Sequence, residues 1–258
     1  MDREQLQSGI QKITQPLQGL WRTVCQGVWP AVCRLCSKAI SEDHAGLCQD
    51  CWQELSSAIG HDYCRRCGRQ VSRYGIVANR CGGCLDEELP YEGLCRVGFY
   101  DGALKRLILD LKFRDQVEHI DYLAPMFRQA FETAGFDQKT DLLVPVPLHW
   151  RRRLQRGFNQ SFMLAQQLSN SQVRISTDLI RHRYTCHQWQ LENDSQRKNN
   201  VKGAFAVRKG HPFENKTICL IDDITTSGAT LKECAATLRE AGARAVVAAV
   251  VAVAEKTA

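Results

Sequence analysis

The sequence predicts an α/β protein, with a mostly parallel sheet flanked by helices and a small cysteine-rich module ahead of it. Three observations carry this. From about residue 91 onward, apolar runs alternate with segments of helical spacing, an order that builds parallel sheets. The runs around Ile218 and Val246 are almost continuously apolar, as in strands covered on both faces. Eight of the 13 cysteines crowd between Cys33 and Cys84, where aliphatic runs are few. The 258 residues are 44% hydrophobic and 24% charged, which excludes a largely disordered chain. The longest apolar run, residues 245–254, falls well short of the roughly 20 residues that span a bilayer. Gln11, Lys12, Gln15, Pro16, Gln18 and Arg22 interrupt any signal-peptide core near the start. A cytoplasmic protein without membrane insertion is expected.

In chain order, residues 1–30 read as an amphipathic helical lead segment, 31–90 as the cysteine module and 91–258 as the α/β domain. Leu104, Leu107, Ile108 and Leu111 recur at helical spacing, and a second helix is expected over 117–131. Residues 141–147 read as a strand ended by its own prolines, followed by a helix over 159–168. The strand at 216–223 leads to a helix over 230–241, with Gly242 as its stop signal. A last buried strand covers 244–253. The cysteine pairs are the one internal repeat.

Those pairs are four CxxC turns: Cys33 and Cys36, Cys48 and Cys51, Cys64 and Cys67, Cys81 and Cys84. Each turn presents two thiolates to one point, and two turns close a tetrahedral shell around zinc. Neighbouring turns give the simplest pairing, and an interleaved pairing has the same sequence pattern. The alternative, four disulfides, needs an oxidising compartment, whereas a chain with no export signal keeps its thiols reduced. Four thiolates leave no open position, so two structural zinc ions are expected. They would stabilise a segment too poor in aliphatics to fold on apolar burial alone. Cys219 and Cys234 read as small core residues.

The net charge of +6 belongs to the C-terminal part, because acids and bases cancel over residues 1–90. Arg151, Arg152, Arg153 and Arg156 fall in one acid-free stretch just after the 141–147 strand. That is the carboxyl edge of a parallel sheet, where ligands bind, and arginine forks suit pyrophosphate oxygens. Residues 188–202 are polar and read as a mobile lid carrying Arg197 and Lys198. The most informative segment follows the apolar strand at 218. Asp222 and Asp223 stand at its end, then Thr225, Thr226, Ser227, Gly228, Ala229 and Thr230 lead into a helix. Amides at a helix N-terminus and hydroxyl side chains cradle a phosphate, while Gly228 lets the backbone come close. Paired acids would repel a bare phosphate but accept hydrogen bonds from sugar hydroxyls, so a sugar phosphate fits better.

This loop resembles the 5-phosphoribosyl-1-pyrophosphate (PRPP) signature of type I phosphoribosyltransferases. The resemblance implies that Asp222 and Asp223 hold the ribose hydroxyls and that residues 225–230 hold the 5-phosphate, with magnesium accompanying PRPP. Thr226 stands where purine-salvage members carry an aspartate, so purine salvage is disfavoured. Residues 144–160 resemble the VPVP…RGFNQ stretch of the ComF family, and residues 197–205 its RxxNVxxAF segment. Together with the CxxC pairs, the resemblance covers residues 31–258. Thr226, Ser227 and Gly228 replace the usual Thr-Thr-Gly, which keeps a hydroxyl donor. The resemblance implies a phosphoribosyltransferase acting on an unknown acceptor, with Asp222, Asp223 and Arg156 catalytic and Arg152, Arg156, Arg197 and Lys198 at the pyrophosphate. It also implies a role in DNA uptake. The rival expectation is a non-catalytic PRPP sensor or adaptor that contacts single-stranded DNA or a helicase-type partner. With Met1, Asp2 and Arg3 at the start rather than a cysteine nucleophile, glutamine-dependent activity is not expected.

Overall fold

In the computed structural model, the described residues are 31–40, 46–60, 62–77, 80–113, 117–186 and 190–254. The expected helical lead at 1–30 lies outside them. Two compact units divide at Leu55/Ser56, so the composition change near Pro90 falls inside the second.

The first unit holds Cys33, Cys36, Cys48 and Cys51. Val32 and Ala39 form an antiparallel bridge around the first CxxC turn, and helix α1, Gln49–Ala58, begins at the second.

The second unit opens with a ribbon whose strands β1 (Ile76–Val77) and β2 (Arg80–Cys81) pair antiparallel. Its main sheet has five parallel strands: β3 (Leu94–Phe99), β4 (Leu142–Pro145), β5 (Arg174–Ile175), β8 (Thr217–Thr225) and β9 (Ala245–Val253). Their spatial order is β3-β9-β8-β4-β5. Strands β8 and β9 are buried along nearly their whole length, which is why their sequences lack alternation. The flanking helices are α2 (Gly102–Phe113), α3 (Ile120–Thr133), α4 (Trp150–Arg156), α5 (Gln160–Leu168), α6 (Asp194–Val201) and α7 (Ala229–Glu240). This is the predicted class.

Helix α2 buries Leu104, Leu107, Ile108 and Leu111 completely. Gly98 admits the chain behind it, because a Cβ there would lie 2.2 Å from the Ala58 carbonyl oxygen. The opposite face packs α7 against Ile218, Leu220, Val246 and Ala248, in one core with Cys64, Cys81, Cys84 and Tyr91. The second cysteine tetrad is therefore continuous with the α/β core.

Three segments differ from expectation. The arginine stretch, to which the sequence assigned no element, is a short helix N-capped by His149, whose Nδ1 accepts from the Arg151 amide at 3.3 Å. The 117–131 helix starts with a 3-10 turn at Val117–His119 before α3. Within the segment read as a lid, residues 194–201 form α6, capped by Asn193, whose Oδ1 accepts from the Gln196 amide at 2.8 Å. This helix sits between β6 (Leu179–Arg181) and β7 (Phe205–Val207), an antiparallel pair outside the main sheet. The segment is fastened by a reciprocal pair of bonds between Asn200 and Cys186, at 3.1 and 3.0 Å. Sequence periodicity is silent here because α6 buries only Val201.

Candidate functional site

Both tetrads use neighbouring CxxC turns, which settles the pairing left open by the sequence: Cys33, Cys36, Cys48 and Cys51, then Cys64, Cys67, Cys81 and Cys84. Within each, the four sulfurs lie within 4.8 Å of one another. The Cys36–Cys48, Cys67–Cys81 and Cys64–Cys84 sulfur pairs stand at 3.6, 3.6 and 3.7 Å. A tetrahedron with Zn–S bonds of about 2.3 Å has edges of roughly 3.8 Å, so the donor sets fit zinc. Burial pushes the Cys33 thiol up, yet amides of Cys48, Cys36 and Leu35 outweigh it and bring the group below its ordinary value. Cys64 is lowered in the same way by the amides of Cys67, Arg66 and Cys81. Four sulfurs close each shell, so these centres are structural.

At the carboxyl edge of the sheet, β8 runs two residues past the predicted end and carries Asp222 and Asp223 inside the strand. Alternation sends their side chains to opposite faces. Asp223 is buried, and its Oδ1 pairs with Lys112 Nζ from the last turn of α2 at 2.9 Å. Asp222 Oδ1 accepts from Ser161 Oγ at 2.9 Å and from the Asp223 amide at 3.0 Å. Burial, then the adjacent Asp223 carboxylate, push Asp222 above the usual carboxylate range; Lys112 and Ser161 pull it back. Asp222 is thus a desolvated carboxylate aimed at hydroxyl donors, and Asp223 one that a lysine neutralises.

The loop turns at Gly228, whose φ of 73° is left-handed. It ends at α7, whose first amides face the loop; the Ala229 amide reaches Ser227 Oγ at 3.4 Å. Thr225 is buried and Thr226 exposed, with Ser227 and Thr230 half-buried. Lys232 clamps the loop from below. Its ammonium donates to the Ser227 carbonyl at 3.2 Å and to Glu87, three residues past Cys84 in the second ribbon.

The arginines separate. Burial lowers Arg156, and the Asp223 charge pulls it back up, so this member of the stretch is electrostatically coupled to Asp223. Arg152 is buried and donates to the Thr185 carbonyl at 2.6 Å. Arg151 stacks over Trp150 and Tyr184. Arg181, which sequence reasoning passed over, joins Arg152 at Thr185 through the hydroxyl. His149 is buried beside them, and burial, then Arg151 and Arg181, hold it below its ordinary value. Arg197 pairs with Asp194 at 3.6 Å, while Lys198 is exposed. Their helix packs against α7, the helix that starts at the loop.

Lys112, Ser161, Lys232 and Arg181 were not singled out from sequence. Lys112 has a faint signal as the basic end of a leucine-striped helix, and Ser161 directly follows the Asn159-Gln160 pair. Glu87 and Lys232 lie 145 residues apart and carry no sequence signal of their pairing.

The family described as double zinc ribbon domain matches residues 24–85. Competence protein F of Haemophilus influenzae is 32% identical over 206 residues, covering 76% of this chain and 86% of its own. DNA utilization protein YhgH of Escherichia coli K12 is 32% identical over 223 residues, 84% and 94% of the two chains. Competence protein ComFC of Bacillus subtilis is 28% identical over 238 residues, 84% and 92%. A purine phosphoribosyltransferase from Pyrococcus horikoshii is a distant structural neighbour. It has a TM-score of 0.31 and 11% identity, over 50% of this chain and 70% of that one. At the identity and coverage of its curated relatives, the chain belongs to the ComF family.

Proposed function

We propose that the carboxyl edge of β8 binds PRPP with magnesium and transfers its phosphoribosyl group to an acceptor, within a process that handles DNA. One observation carries the reading: a buried strand bears Asp222 and Asp223 just ahead of a loop turned by a left-handed Gly228 at the N-terminus of a 12-residue helix. The helix amides and the hydroxyls of Thr226, Ser227 and Thr230 suit a terminal phosphate. Asp222 suits a ribose hydroxyl because, like Ser161 now, such a hydroxyl donates to it. Lys112 keeps the second acid from repelling the phosphates, and Arg156 lies on that side for the leaving group. Magnesium would neutralise charge on the pyrophosphate.

In the reaction, a nucleophilic atom of the acceptor bonds to C1 of the ribose as the C1–O bond to pyrophosphate breaks. Pyrophosphate leaves with that electron pair, and any proton on the attacking atom passes to water. Arg156 stabilises the negative charge that grows on the leaving group, and magnesium bound with PRPP would add Lewis-acid stabilisation there. The relatives' names, competence protein and DNA utilization protein, support the DNA context.

One observation favours a second reading, a PRPP sensor or adaptor without turnover: Lys112 already occupies Asp223 at 2.9 Å. The test is calorimetric titration of PRPP with and without magnesium, followed by a screen of acceptors for pyrophosphate release. Asp222→Ala with Asp223→Ala should abolish binding under either reading. Binding without release for any acceptor supports the sensor, and failure of the intact protein to bind PRPP refutes both.

A further inference from the structure

Beneath the β6–β7 pair lies a cavity of about 840 Å³, inside the range of small-molecule sites. Its wall combines three aromatic rings, Trp150, Phe158 and Phe162, with three guanidinium groups, Arg153, Arg181 and Arg208, and no Asp or Glu lines it. Arg181 is the informative member. It is only 9% exposed, and its Nε is buried without a hydrogen-bond partner. Its guanidinium lies 5.3 Å over the Phe205 ring, and among the described residues no carboxylate pairs with it. Burial, then the like charge of Arg152, bring its pKa down to about 10. Asp222 offers it an opposing charge but no ion pair, and a buried cation so incompletely compensated costs several kcal/mol, which an anionic ligand would offset.

Two of its wall residues also lead to Asp222, which does not itself line it. Pro145 on its wall is the register partner of Ile221, the residue before Asp222. Asn159, another wall residue, caps the helix whose Ser161 donates to Asp222.

We propose that this cavity binds the acceptor, and that the acceptor is an aromatic acid: a planar ring seated among Trp150, Phe158 and Phe162, its carboxylate held by Arg181 with Arg208 and Arg153. Rings stack on such a wall, and the fork of an arginine matches a carboxylate. The word acceptor rests on the phosphoribosyl reading; the binding site does not.

The full-length zinc-loaded protein is titrated with nicotinate, anthranilate and orotate, each against its uncharged amide, by calorimetry and tryptophan fluorescence. At least one acid should bind at least about tenfold more tightly than its amide, as a charge-assisted bond requires. Arg181→Gln and Arg208→Ala should each weaken that acid about tenfold. Arg208 is exposed, so its variant carries the test alone if Arg181→Gln fails to fold. Acids that bind no better than their amides, or that bind both variants like the parent, overturn the proposal. So does displacement of the acid by a short oligothymidylate whose own affinity falls in the same variants, which would reassign the cavity to single-stranded nucleic acid. PRPP is titrated separately. PRPP binding without acid binding overturns this proposal alone, and acid binding without PRPP binding overturns the phosphoribosyl reading alone.

Discussion

Replacing Lys112 by methionine isolates the contact that most constrains the twin acids. The Lys112–Asp223 pair is 2.9 Å long, with its side chains only 17% and 10% exposed. Deleting one partner of a buried pair costs about 3–5 kcal/mol, because the survivor is left desolvated and uncompensated. Arg156, whose charge is felt by Asp223, takes up part of the deficit, so the lower end, about 3 kcal/mol, is expected. For a domain of this size that lowers the melting temperature by about 6–12 °C. Urea melts of parent and variant measure it, and Asp223→Asn added to Lys112→Met should recover most of the loss. A variant as stable as the parent would refute the ion pair's role.

Four further outcomes are expected. Asp222 is raised by burial and by Asp223, so PRPP affinity should decline on acidification before the ordinary carboxylate value near 4 is reached; calorimetry showing a flat affinity down to about pH 5 would contradict this. The same shift gives stability the opposite slope, falling as pH rises between the unfolded and the raised folded value. Metal analysis should find two zinc ions per chain, and Cys84→Ser should leave one and lower the melt of the α/β unit, whereas Cys36→Ser should leave one and spare it. Gly98→Ala drives a Cβ to 2.2 Å from a backbone oxygen and should cost about 2 kcal/mol, read as a shift of the urea midpoint.

What the sequence disclosed follows from the range of each physical signal. Helices α2, α5 and α7 and strands β4, β8 and β9 were legible because burial writes a period into adjacent residues. The zinc ligands were legible because four CxxC turns suit one chemistry. The phosphate loop was legible because strand, acids, glycine and helix are contiguous. Arg181 was not, since a lone arginine at the end of a short strand looks like any surface residue until burial strips away its water. Helix α6 was hidden by its polarity. The separation of Arg151, Arg152, Arg153 and Arg156 onto different neighbours was hidden too, because spacing on a two-turn helix fixes direction without saying what stands there.

The clamp of Lys232 has a practical corollary for anyone trimming this protein. A version starting at Tyr91 would look natural by composition, yet it would discard Glu87 and, with it, Cys64, Cys81 and Cys84 from the hydrophobic interior. It should come out insoluble or sluggish, whereas a version that retains Glu87 and the second tetrad keeps the clasp. That tetrad is thereby scaffolding for the loop.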